Sequence, residues 1–132
     1  MSYIFIDIIG GTKRERALVE KAVYFSKTYL LPRHRNIEVN VKLVKKMKVD
    51  ADVISGDDDR EYDMRIRSGQ SDEDLLTSVF HEFVHIKQDV RKEHNLFEAN
   101  CSIDYLDRPW EIEAFELQEV MLEKYKKLQN KS

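Results

Sequence analysis

The chain has 132 residues, of which 42% are hydrophobic and 36% charged, and this fits one ordinary domain over residues 1–132. Its formal net charge of −3 argues against a broad phosphate-binding face, so we do not expect nucleic acid as a partner. The single cysteine excludes an intramolecular disulfide framework and any CxxC zinc site. We find no signal peptide and no apolar run of membrane-spanning length, so we expect a cytoplasmic protein without a membrane partner.

The first half of the chain has the patterns of several short strands and one helix. A β-branched and aromatic run predicts a buried strand over residues 3–9, and Thr12 followed by Glu15 has the spacing of a helix capping box. Apolar residues at three- and four-residue spacing then predict an amphipathic helix that Pro32 ends. Period-two alternation predicts strands over residues 37–43 and 62–67, with a short strand and a hairpin turn between them at residues 53–59. Together these strands predict a small meander.

The second half carries an HExxH motif on a predicted helix. This helix begins after Ser71, runs to about residue 92 and contains His81, Glu82 and His85. Two histidines four residues apart lie on one helix face, so both can point a nitrogen at the same Zn²⁺ ion at roughly 2.0–2.1 Å. Glu82 is suited to take a proton from a metal-activated water. At about 100° per residue, the histidines lie at the centre of the polar face, opposite an apolar stripe.

A third metal ligand is expected from another part of the chain. The metzincin continuation of HExxH is absent, because Gln88 and Arg91 stand where Gly and His would be. A C-terminal helix predicted from Pro109 offers Glu111, which shares a face with apolar residues, and Glu113, which faces outward. A carboxylate on a buried face is costly unless it is paired or binds a metal, so Glu111 is the preferred ligand. An ion pair or a favourable helix-dipole interaction remains the alternative role for Glu111.

These motifs resemble those of the gluzincin metallopeptidases, especially the small, single-domain minigluzincin-like proteins found in prokaryotic and phage genomes. The resemblance covers residues 71–128 by motif and rests on HExxH at residues 81–85 and on the segment RPWEIEA at residues 108–114. It implies an α+β minimal zincin fold with an N-terminal helix, a small mixed or antiparallel sheet, the HExxH helix and a C-terminal helix that supplies a Glu ligand. It also implies Zn²⁺ held by His81, His85 and Glu111, with Glu82 as the general base that hydrolyses a peptide or protein substrate.

The resemblance leaves the residues around the zinc ligands open. Many gluzincins carry an Asp that orients a zinc-bound His where this chain has Phe115, so Asp89, Asp104 or Asp107 is expected to take that role. The donor that stabilises the oxyanion is open among Tyr62, His94 and Tyr105.

Two further expectations concern substrate binding and the alternative function. The family picture implies that the strand over residues 62–67 forms the sheet edge along which an extended peptide lies. The alternative to a peptidase is a zincin-fold protein that binds a partner without catalysis or is held latent. The presence of Glu82 favours catalysis, because a metal-binding scaffold alone has no need of it.

Overall fold

Seven elements follow one another along residues 4–93 and 107–130, the part of the chain that this computed structural model describes. In chain order they are β1 (Ile4–Gly10), α1 (Lys13–Leu30), β2 (Ile37–Val44), β3 (Ala51–Ser55), β4 (Glu61–Arg67), α2 (Asp72–Val90) and α3 (Pro109–Asn130). The layout confirms the predicted α+β class, with an N-terminal helix, a small mixed sheet, the HExxH helix and a C-terminal helix.

The capping box at the start of α1 is present, and its Glu15 also bonds to the turn that precedes α2. Thr12 Oγ1 accepts from the backbone N–H of Glu15 at 3.1 Å, and Glu15 Oε1 accepts from the N–H of Thr12 at 2.9 Å. The other carboxylate oxygen of Glu15 accepts from the N–H of Gly69 at 2.7 Å. The backbone hydrogen bonds from Gly69 and Thr12 lower the pKa of Glu15. One carboxylate therefore ties the start of α1 to the turn that precedes α2.

The four strands form one sheet in the order β1-β2-β4-β3. β1 pairs with β2 and β2 with β4 in parallel, whereas β3 pairs with β4 in an antiparallel hairpin. The predicted hairpin is therefore present, but the predicted meander is wrong because β3 lies outside β4 instead of between β2 and β4. The expectation that residues 62–67 form the sheet edge is wrong for the same reason.

The burial of β4 agrees with its interior position. Its inward side chains, Tyr62, Met64 and Ile66, are almost completely buried, and the strand has a neighbour on each side. In β3, Val53 faces the core but Ile54 is exposed, as expected at an edge. Two arginines of β4 pair with aspartates at the start of β3 and just before it, Arg65 with Asp52 and Arg67 with Asp50.

The core lies between the sheet and the helices, and α2 is at its centre. This helix packs against α1, α3, β3 and β4, and its side chains are buried along most of its length. The ring of Phe80 on α2 lies 5.5 Å from that of Phe25 on α1 and 5.9 Å from that of Tyr125 on α3, measured between ring centroids. The three helices therefore share one aromatic cluster. Within the described ranges, the helices are too short or too polar for any of them to cross a bilayer.

Candidate metal centre

The HExxH motif lies in the middle of α2, at the contact with α3. Ser71 caps the helix by accepting from the N–H of Asp74 at 3.2 Å, and three acidic residues follow in the first turn, where the helix dipole favours negative charge. His81 and His85 lie on the same side of α2, as predicted, and are only 7% and 4% exposed. They are buried because α3 covers the polar face of α2.

Glu111 in the first turn of α3 meets both histidines. Its Oε1 lies 3.0 Å from Nε2 of His81 and 3.0 Å from Nε2 of His85. The available ligand atoms of these three residues all lie within 4.8 Å of one another. The structure thus brings together the three residues predicted as metal ligands. Glu113, predicted to face outward, is half-buried and stays out of the group.

A glutamine fixes the protonation of His85. Nε2 of Gln88 donates to the carbonyl oxygen of Trp110 at 2.9 Å and to Oε1 of Glu113 at 2.8 Å. Because both partners are acceptors, Oε1 of Gln88 must face Nδ1 of His85, which lies 2.9 Å away. Nδ1 of His85 therefore carries a proton and donates it, and Nε2 is the ring nitrogen that points at Glu111.

Gln118 fixes the protonation of His81 in the same way. Nδ1 of His81 lies 2.7 Å from Oε1 of Gln118 on α3, and Nε2 of Gln118 donates to Glu119 at 3.3 Å. The ring of Phe115 packs against the His81 ring with 4.7 Å between centroids. The imidazole is thus held by a hydrogen bond and a ring contact from the same helix.

This arrangement fits a single metal ion. Two imidazole nitrogens and a carboxylate oxygen converge, and at this spacing they repel one another unless protons or a cation lie between them. Tetrahedral zinc with bonds of about 2.0–2.1 Å separates its ligand atoms by roughly 3.3 Å, close to the observed 3.0 Å between Glu111 Oε1 and each Nε2. The His81, His85 and Glu111 group could therefore hold a metal ion.

The short distances between Glu111 and the two histidines shift the pKa values of Glu111 and His85. Burial by itself raises the pKa of Glu111, but the hydrogen bonds to His81 and His85 outweigh it and lower the pKa to about 2. Burial likewise lowers the pKa of His85, but the hydrogen bonds to Glu111 and Gln88 outweigh it and the pKa is raised. Glu111 is therefore held as a carboxylate, the form in which it binds a cation.

Glu82 has a different environment from Glu111. Its side chain is buried, and burial is the main cause that raises its pKa to about 7, although His81 and His85 act in the opposite direction. A divalent cation nearby would favour the carboxylate form. Glu82 also lines the cavity beside the triad. A carboxyl group that changes charge near neutral pH can both accept and donate a proton.

The cavity beside the triad has a volume of about 240 Å³ and opens to solvent between α2, α3 and the start of β3. Its lining includes both His81 and Glu82, so a molecule in the cavity reaches the triad and the neighbouring carboxyl group together. The edge strand β3 forms one wall through Ala51, and the two preceding residues continue that wall. The site therefore lies beside β3 and not beside β4.

The expected partners of the histidines are corrected by the structure. Asp89 accepts from the Tyr62 hydroxyl at 2.5 Å, and both histidine Nδ1 atoms are bonded to glutamines, so neither Asp89 nor Asp107 orients an imidazole. The Tyr62 hydroxyl is buried against Asp89 and is not an oxyanion donor. The remaining candidates, Asp104, His94 and Tyr105, lie outside the described residues.

The two glutamines were missed as partners, although their positions were visible in the sequence. Gln88 follows His85 by three residues, one helical turn, and shares the polar face of α2. Gln118 shares the inward face of α3 with Glu111. Helical spacing alone placed both residues beside the site, but no motif marks a neutral amide as the partner of an imidazole.

Comparison with protein families, with curated proteins and with solved structures finds no match to this chain.

Proposed function

We propose that the protein is a zinc-dependent metallopeptidase that hydrolyses peptide bonds. The observation that carries the proposal is the convergence of His81, His85 and Glu111 next to Glu82, at a cavity open to solvent. Three protein ligands with one open position are typical of catalytic zinc, whereas structural zinc sites are closed by four. The donor set of two imidazoles and one carboxylate suits zinc.

Three residues of the chain would bind the metal ion, and a fourth would transfer protons. His81, His85 and Glu111 would hold the ion, with Gln88 and Gln118 keeping the imidazole lone pairs turned toward it. Zn²⁺, when bound, lowers the pKa of water and polarises a carbonyl group. Glu82 takes the proton of the attacking water and returns it to the leaving amine. Burial raises the pKa of Glu82 to about 7 in the metal-free protein, and a bound cation would shift it toward the carboxylate form that accepts the proton.

The position of β3 supports a peptide as the substrate. Within residues 4–93 and 107–130, no strand pairs with the outer edge of β3, so its backbone groups are free to pair with an extended chain. Because Ala51 at the start of β3 also lines the cavity, a peptide added to this edge passes beside His81 and Glu82. This assigns to β3 the role that the family resemblance implied for β4.

The ligand assignment is tested by measuring bound zinc after dialysis. We expect about one equivalent in the native protein and a large loss in Glu111→Ala, because one of three protein ligands is removed. The matched control is Glu116→Ala, which removes an exposed carboxylate from the same helix and should retain zinc. Equal zinc in the native protein and in Glu111→Ala, or none in the native protein, would refute the assignment.

The catalytic assignment is tested with Glu82→Gln and a peptide library. The variant should retain zinc and lose hydrolysis by at least about a hundredfold, the usual contribution of a general base. Glu73→Gln, an exposed acid on the same helix outside the cavity, should cleave like the native protein. A zinc-loaded native protein that cleaves no peptide would contradict the peptidase and favour a metal-dependent binding protein.

A further inference from the structure

Three acidic residues begin α2, and only one of them faces the cavity beside the triad. Asp72 pairs with Arg14, and Glu73 lies 2.6 Å from Nζ of Lys126. Asp74 lines the cavity, and its carboxylate has no hydrogen bond or ion pair within residues 4–93 and 107–130. Asp72 and Glu73 therefore each have a basic side chain as partner, whereas Asp74 has none among the described residues.

Among the described residues, no lysine or arginine lines the cavity to neutralise Asp74. Apart from His81, the ionisable residues of this lining are Asp50, Asp74 and Glu82. Asp50 pairs with Arg67 at 2.7 Å, and Glu82 is assigned to proton transfer. Asp74 is thus the carboxylate in the cavity that is left available for a ligand.

Part of the cavity wall is apolar. Val49, Ala51 and Phe115 line the cavity, and Val49 and Phe115 are both exposed to solvent. The hydroxyls of Thr77 and Ser78, which also line it, already donate to other groups of the protein. A cavity that combines apolar surface with a carboxylate suits a side chain with a methylene stem and a cationic head.

The distance between Asp74 and His81 along α2 determines how long a substrate side chain must be to reach Asp74. Asp74 precedes His81 by seven residues, two helical turns, so it lies on nearly the same face and about 10 Å along the helix axis. A small or medium side chain that starts near the triad does not reach Asp74. Lysine and arginine are the long, positively charged side chains that do.

We propose that Asp74 is a specificity-determining residue that selects peptides with a lysine or arginine side chain placed in this cavity. The inference rests on the proposed peptidase function and names its substrate class. Asp74 acts by pairing with the cationic head of the substrate, while the apolar wall binds its stem.

Cleavage of a peptide library tests the preference. The native protein should favour Lys or Arg at one fixed position next to the cleaved bond, by about fivefold, which is the upper range for a partly exposed ion pair. Asp74→Asn should lose this preference and Asp74→Lys should turn it toward Glu. Asp72→Asn removes a charge from the same helical turn outside the cavity and should leave the preference intact. Unchanged preference in Asp74→Asn would overturn the inference.

A binding experiment separates failure of the specificity from failure of catalysis. Zinc-loaded Glu82→Gln is titrated with two fluorescent peptide pools that differ at one fixed residue, arginine or norleucine. The arginine pool should bind about fivefold more tightly, and the difference should vanish in Glu82→Gln/Asp74→Asn. If the native protein cleaves nothing but this difference is found, the inference stands and the peptidase function fails. If peptides are cleaved but the pools bind equally, the inference is overturned.

Discussion

Replacing Gln88 by methionine should lower the affinity of the site for zinc without leaving a cavity in the core. Gln88 is fully buried and makes three hydrogen bonds of 2.8–2.9 Å, to His85, Trp110 and Glu113. Methionine has nearly the same shape, so the change removes the hydrogen bonds but leaves little cavity. The perturbation therefore isolates polar contacts from packing.

The expected magnitude follows from the partners that are left behind. Glu113 keeps its contact with Lys87 at 3.0 Å, so its loss is small. The Nδ1–H of His85 and the carbonyl of Trp110 lose the Gln88 bond, at about 1–3 kcal/mol each, giving roughly 2–6 kcal/mol of lost stability. Zinc affinity should fall about 10- to 100-fold, the usual effect of removing a group that orients a ligating histidine.

Two measurements check this expectation. Urea unfolding of the zinc-free protein gives the stability difference, and competition with a chromophoric chelator gives zinc affinity. Gln118→Met is the matched control, because it removes the partner of His81 at a more exposed position and should lower zinc affinity with a smaller loss of stability. If Gln88→Met binds zinc as tightly as the native protein, the argument that Gln88 sets the protonation of His85 is wrong.

Three further predictions concern stabilisation by zinc and two hydrogen bonds elsewhere in the fold. Excess zinc at a hundred times its dissociation constant should stabilise the native protein by about 2.7 kcal/mol, seen as a rise in Tm that Glu111→Ala lacks. Glu15→Gln should cost about 1 kcal/mol at pH 7. The pKa of Glu15 is lowered in the fold, so its carboxylate stabilises above the unfolded pKa and this contribution is lost as pH falls through the folded pKa; urea titrations that show the same difference in acid as at pH 7 would contradict it. Tyr62→Phe should cost about 1 kcal/mol by removing the hydrogen bond to Asp89, and an unchanged urea midpoint would argue against that bond.

Local patterns were sufficient to predict the elements and the three residues that the structure brings together. Alternation predicted β2 and β4, the Thr12 and Glu15 pair marked the start of α1, and helical spacing turned Glu111 inward and Glu113 away from it. These features depend on residues close together in the chain. They follow from helix and strand geometry without any knowledge of distant contacts.

Strand order was wrong because it depends on pairing between distant residues. Alternation in residues 62–67 determines which side chains face the core, but it does not say which strand lies on either side. The short β3 was expected between its neighbours in sequence, yet β2 pairs with β4 directly. The roles of Gln88 and Gln118 were not predicted for a related reason. A neutral amide can act as a donor, as an acceptor or as a solvated surface group, so its partner cannot be read from its own position in the sequence.

The position of α3 links metal occupancy to the shape of the cavity. This helix packs mainly against α2, carries Glu111 and contributes Phe115 and Gln118 to the cavity wall. Through Glu111, a bound ion would join α3 to α2 across the 26 positions that separate His85 from Glu111. A bound ion would therefore also hold one wall of the cavity in place, so that removing zinc would loosen the surface that binds a ligand as well as remove the metal.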